Sequence, residues 1–274
     1  MPSRRSQRLG IAALGFIIGV PLAAYGVKAA RDWQTDQRLA SREDEIIALM
    51  QILPRSDFHQ TVDRVRTFIN DHSQDKVDAA FRAMIGDGVA FADGVIAHAR
   101  DPSAERVHME CSTRANLTGR VLRRLGYETR TIALFRTKGR FASHSFLDVL
   151  DPHTKRWETL DADYDLYWKS LATGKRVSLT EAAGNLDEIM PCGRAGCGWD
   201  VRSHDGNTPK SLIQLLDILS VTSKENDVRY SVYTPRAKLD QVFAIEGENG
   251  TYCEVMAKRC RDGFRPIGAP HVGP

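Results

Sequence analysis

Hydrophobic positions along the chain fall into two rhythms. Phe58, Val62, Val65, Phe68 and Ile69 repeat at helical spacing, which predicts a helix over 57–70. Ser41 opens SREDEIIALMQIL, with acids in its first turn and Pro54 beyond it, so a helix is expected at 42–52. A third helical region covers 76–99, interrupted at Gly86-Asp87-Gly88. From 111 to 126 the pattern is helical again, with Ala115, Val121, Leu122 and Leu125 on its apolar face and Gly126 suited to the C′ position. The rhythm then changes to period two: YETRTIALF (127–135), SHSFLDVL (143–150) and WETLD (157–161) read as strands joined by the turns TKGR and DPHTKR. Helices followed by an antiparallel meander indicate an α+β fold. Further on, Ser178-Leu-Thr-Glu181 is a capping box for a helix to about Ile189. A helix is expected at 209–219 and a strand at 228–233, with the last cysteines in 251–260.

The N-terminus follows neither rhythm. Leu9 to Val27 is uncharged, and Arg4, Arg5 and Arg8 precede it. At 1.5 Å per residue this stretch just reaches across a bilayer core of about 30 Å. It reads as a signal anchor or a cleaved signal peptide, with Pro21 ending the most apolar part and Ala24-Tyr25-Gly26 as a small-x-small cleavage site. Residues 28–40 read as a polar stalk, and everything beyond is expected outside the cytoplasm. The leader also explains the charge. Of 38 Lys and Arg in 274 residues, three lie in a segment without acids, and the rest match the 35 Asp and Glu. The body is neutral, which argues against a nucleic-acid partner. With 42% hydrophobic and 27% charged residues, the composition is that of a folded domain rather than a disordered chain.

Five cysteines occupy 111, 192, 197, 253 and 260. In an oxidising compartment cysteines tend to pair, and an odd number leaves one over. The four later ones form two local pairs, for which disulfides 192–197 and 253–260 are expected in preference to a zinc site.

Cys111 stands apart, at the start of a predicted helix, where the helix terminus favours an anion and predicts a lowered thiol pKa. His144 lies near the start of a predicted strand, and Asp161 closes the next one. A cysteine on a helix facing His and Asp on adjacent strands is the spatial logic of a Cys-His-Asp triad. His108 is the rival base, and Asp163 and Asp165 are rivals for the third position. Asp148 reads as a strand-face acid and Trp157 as core.

Three blocks carry a resemblance to the transglutaminase-like superfamily, which shares the papain-like core. ECSTRANLTGRVLRRLGYETRTIAL resembles that family's cysteine helix and its LG-x-x-x-R turn, filled here by Leu125, Gly126 and Arg130. HSFLDV resembles the histidine strand, with Asp148 four residues after His144, and WETLDADY resembles the aspartate strand, with Trp157 four residues before Asp161. The sequence departs from the pattern at Met109, and no Trp follows Cys111 as it does in animal protein crosslinkers.

The resemblance implies a papain-like or transglutaminase-like core over 41–170, N-terminal helices with the cysteine helix packed on an antiparallel sheet, and a C-terminal extension over 171–274. It implies Cys111, His144 and Asp161 as catalytic residues that need no cofactor or metal. The activity implied is thiol-dependent amide hydrolysis or transamidation on a protein or peptide of the cell envelope. With the leader, this places the catalytic domain in the periplasm, anchored to the inner membrane or released after cleavage. The competing reading is a catalytically silent envelope protein that uses the same fold for binding or assembly.

Overall fold

The computed structural model describes residues 29–52, 57–136, 142–178, 188–201 and three short strands beyond, at 218–222, 242–244 and 264–265. For 133–143 and those last strands only the backbone is described. The leader, the TKGR turn, the body of the helix expected to follow Ser178, the strand expected at 228–233 and the last two cysteines lie outside the described residues. Among the described residues, no helix is long and apolar enough to cross a membrane.

Among the described residues, five helices precede or feed the sheet. Helix α1 spans 29–50, α2 Phe58–Asp71, α3 Ala79–Met84, α4 Gly88–Arg100 and α5 Cys111–Arg124. The chain divides into two compact units after Ser41. Within the first unit the residues from 29 onward are helical. No Gly or Pro interrupts 29–50, and that gives the backbone no reason to leave the helix.

In the second unit the acids of SREDE serve as partners for basic residues on other helices. Glu43 accepts from Arg120, and Asp44 takes Arg124 in a two-point pair at 2.6 and 2.7 Å. Asp57 caps α2 by accepting the His59 and Gln60 amides, and Asp87 caps α4 through those of Val89 and Ala90. The Gly-Asp-Gly interruption is thus a helix break followed by a new cap. At the end of α5, Gly126 adopts φ +91 and the chain turns into the sheet.

Among the described residues the sheet has nine strands in the order β11-β10-β9-β3-β4-β5-β6-β7-β8, with β3 Thr129–Arg136, β4 Ala142–Leu150, β5 Trp157–Asp161, β6 Leu166–Ser170, β7 Ile189–Gly193, β8 Gly196–Cys197, β9 Ile218–Thr222, β10 Val242–Ala244 and β11 Phe264–Arg265. From β3 to β8 neighbouring strands pair antiparallel in chain order. The architecture is α+β, as the change of rhythm predicts. Two expectations are corrected. Residues 218 and 219, assigned to a helix, belong to β9, which pairs antiparallel with the outer side of β3; pairing on an open sheet edge outweighs the local helical pattern there. Ile189 opens β7 rather than closing a helix, and the Ser178 hydroxyl, expected as a cap, donates to Asp148 at 2.5 Å.

A separate parallel pair joins β1 (Ser73–Asp75) to β2 (Val107–Met109) and delivers the chain to Cys111. Helix α5 packs against β3, β4 and α2. Ten of its residues are buried, including Ser112, Thr113, Arg114, Asn116 and Thr118. Its approach to β4 is close enough that a Cβ on Gly119 would meet the Leu147 side chain at 3.2 Å.

Helix α4 is tighter still against β2. A Cβ on Gly94 would lie 2.5 Å from Val107 Cβ. Gly94→Ala gains about 1 kcal/mol of helix propensity, and the overpacking costs about 1–3 kcal/mol. A net loss of stability is expected, read as a lower urea midpoint with an unchanged slope; an unaltered or raised midpoint would show that β2 is not held this closely.

Candidate active site

Three elements bring together the residues from which the sequence leads one to expect a triad. Cys111 is the first residue of α5, a free cysteine that keeps part of its surface accessible while its thiol is densely enclosed. His144 and Asp161, both buried, come from β4 and β5. The ladder between those strands ends at Leu147–Leu160, so both side chains lie just past the last paired residues. His144 Nε2 stands 2.8 Å from Asp161 Oδ2, and the His144 ring is hydrogen-bonded to the Cys111 thiol. An ionised carboxylate only accepts, so Nε2 carries the proton toward Asp161. That leaves Nδ1 as the nitrogen able to exchange a proton with the thiol.

Asp161 is fixed by its own turn. Its Oδ1 accepts the backbone N–H of Asp163 at 2.9 Å and of Tyr164 at 3.1 Å. Asp165 closes the turn at φ +55, a conformation that Asp tolerates better than most residues. Asn70 Nδ2 donates to the carbonyls of Ala162 and Asp163, both at 3.1 Å. The Tyr164 ring stands edge-on to the His144 ring, with centroids 4.9 Å apart. Cys111, His144 and Asp161 thus come together at the ends of α5, β4 and β5.

The rivals have other duties. His108 turns to Asp78 at 2.9 Å and Glu105 at 3.2 Å. Asp165 accepts from Arg66 Nε at 2.9 Å and from Arg194 Nε at 2.5 Å. Asp163 pairs with Arg114 Nη1 at 2.9 Å and lies 3.8 Å from His144 Nδ1. Asp148 is a strand-face acid with a full complement of donors: Arg130 at 2.7 Å, Thr159 at 2.7 Å and Ser178 at 2.5 Å. Arg130 in turn covers the Trp157 ring at 4.3 Å, so one residue from each of the LG-x-x-x-R turn, the His block and the Asp block meet at Asp148 and Trp157.

Sequence reasoning missed Arg114, Asn70 and Ser73. Arg114 is wholly buried, donating from Nε to Ser73 Oγ at 2.9 Å and from Nη1 to the Asp163 carbonyl at 3.1 Å. The available signal was the run Ser112-Thr113-Arg114, polar and one turn from the cysteine, on a helix with apolar residues all along its farther turns.

The electrostatics differ from the expectation for a helix N-terminus. Burial pushes the Cys111 thiol above its ordinary value. The hydrogen bond and charge of His144 pull it down, while the carboxylates of Asp163 and Glu110 push it further up. For His144, burial opposes the charged ring, yet Asp161 by charge and hydrogen bond, joined by Cys111, holds it well above the ordinary value. Burial likewise raises the Asp163 carboxyl against the pull of Arg114 and His144. Tyr164, raised by burial and by the nearby carboxylates, stays a neutral phenol.

No family model, curated protein or solved structure matches the chain.

The two shifts fix a pH dependence. The reactive forms appear when the thiol–imidazole pair loses one of the protons it holds. Both groups hold protons to higher pH than usual, so Cys111 reactivity rises with pH across and above the neutral range. Alkylation by iodoacetamide, followed by mass spectrometry at Cys111, is expected to be slower at pH 7 than for an exposed thiol and to climb steadily toward pH 10. Fast alkylation that stays flat down to pH 5 would instead mark a thiolate already formed.

Proposed function

We propose that this protein is an exported, transglutaminase-like cysteine amidase, acting on amide bonds of envelope proteins or peptides through an acyl-thioenzyme. The observation that carries the reading is the continuous hydrogen-bonded line from Cys111 to His144 to Asp161. The three sequence blocks that resemble the family are also the three segments that supply this line, on a cysteine helix packed against an antiparallel sheet. In this reading the helix, sheet and triad form a papain-like core. The leader over 1–27 carries the chain to the membrane, and the domain works on its outer side.

The mechanism follows from the groups present. His144 Nδ1 accepts the thiol proton, and the Cys111 sulfur attacks the amide carbonyl carbon. The first-turn amides of α5, which Glu110 leaves without a side-chain cap, are the donors that would stabilise the carbonyl oxygen as it gains charge. His144 returns the proton to the leaving nitrogen as the C–N bond breaks, leaving a thioester. Water or an amine then attacks that thioester with His144 again taking the proton, which regenerates the thiol. Asp161 keeps the ring in one orientation and balances its charge throughout.

Cys111→Ala is expected to abolish turnover, and His144→Ala to cost at least about a thousandfold, because base and nucleophile act as one unit. Asp161→Asn should cost less than either and narrow the pH profile. The readout is profiling of new termini or crosslinks among envelope proteins in cells carrying each variant. Cleavage or crosslinking that persists at wild-type level in Cys111→Ala would replace the enzyme with a binding or assembly protein on the same fold.

A further inference from the structure

On the flank of the sheet, away from Cys111 in the chain, three potential ligands converge from three places. His59 sits in the first turn of α2, Glu158 is the second residue of β5, and Asp151 opens the turn between β4 and β5. His59 Nε2 lies 3.0 and 3.1 Å from the two Glu158 oxygens. One ligand atom from each of the three residues lies within 4.8 Å of the others. We propose that His59, Asp151 and Glu158 form a binding site for a divalent cation of the zinc class, separate from the triad.

The chemistry of the set supports this. One imidazole and two carboxylates are the nitrogen and oxygen donors that zinc accepts at about 2.0–2.2 Å, in a tetrahedron whose fourth position is left open. Ligand atoms around such an ion lie about 3.3 Å apart, and the His59–Glu158 separation is already near that. Both carboxylates are buried, at 4% and 6% exposure, whereas the His59 side chain is 45% exposed. The cluster is thus closed on the carboxylate side and open to water on the other. Arg176, whose charge reaches Glu158, is committed at two points to Asp63, at 3.0 and 2.5 Å.

Asp151 is also held in place for the task. Its Oδ1 accepts the His153 amide at 2.8 Å and its Oδ2 accepts the Thr154 hydroxyl at 2.7 Å. Hydrogen bonds of this kind orient a ligating carboxylate while leaving each oxygen a further lone pair. The ion would fasten α2 to the β4–β5 hairpin, two elements that otherwise meet here through the His59–Glu158 contact.

The test uses the full-length chain with its free thiols alkylated, so that zinc binding at cysteine is removed. Calorimetric titration with Zn2+ is expected to show one site, and melting curves should show Zn2+ raising the unfolding temperature. His59→Gln and Glu158→Gln, each read against its own metal-free melting temperature, are expected to weaken Zn2+ at least about tenfold and to lose the thermal shift. Cobalt offers an independent readout, a visible spectrum of tetrahedral type in the parent that disappears in His59→Gln. Zn2+ binding of equal strength in the parent and both variants, or no binding at all to the parent, would overturn the proposal.

Discussion

The arrangement rests on a single constraint: the Asp161 carboxylate is immobilised before it meets His144. One oxygen is held by two amides of its own turn, and the other is left to face the ring. Remove that, and nothing in the local sequence tells the imidazole which nitrogen to present to Cys111. The surrounding structure serves the same turn. Asn70 of α2 holds two of its carbonyls, Arg114 of α5 holds a third contact and a carboxylate, and Asp165 is clamped between Arg66 and Arg194. Two of these guanidinium groups, those of Arg66 and Arg114, are almost wholly buried. Breaking a buried pair of this kind costs about 3–5 kcal/mol, because the surviving charge stays desolvated. The turn is therefore held far more firmly than a surface loop would be.

The disulfide belongs to this support. Cys192 pairs with Cys197 across the β7–β8 hairpin, as the local spacing suggests. Between them Arg194 reaches back to Asp165 at 2.5 Å and to both oxygens of Asp71, at 2.9 and 2.7 Å. A short closed ring contributes little through loop entropy. Its physical effect is local: it limits the hairpin conformations from which Arg194 can reach the turn. The partner expected for this pair, Cys253–Cys260, lies outside the described residues.

Much of this was legible in the sequence because it is written in local patterns. Helix α2, the break before α4, Gly126 at the end of α5 and the first three strands of the sheet's meander follow from periodicity, caps and turn residues. The meeting of Cys111, His144 and Asp161 was legible because three short blocks place them at element ends. What sequence reading missed depends on long-range partners. Residues 218–219 look helical because strand pairing with β3 is invisible along the chain. Arg114 looks like a surface arginine until Ser73 and Asp163 close over it. The Cys111 thiol was expected low from its helix terminus alone, and burial reversed the sign.

The central claim is that Asp161 fixes His144 so that Nδ1 faces the thiol. Nitrogen-15 spectra of the histidine-labelled full-length chain, with His144 assigned through His144→Gln, test this directly across pH 5 to 10. The account predicts that Nε2 keeps its proton throughout, in a strong hydrogen bond, while Nδ1 loses its proton well above the ordinary histidine range. Asp161→Asn should return that titration toward the ordinary range. A His144 that titrates as a free imidazole in the parent, or whose neutral ring carries its proton on Nδ1, would contradict the account.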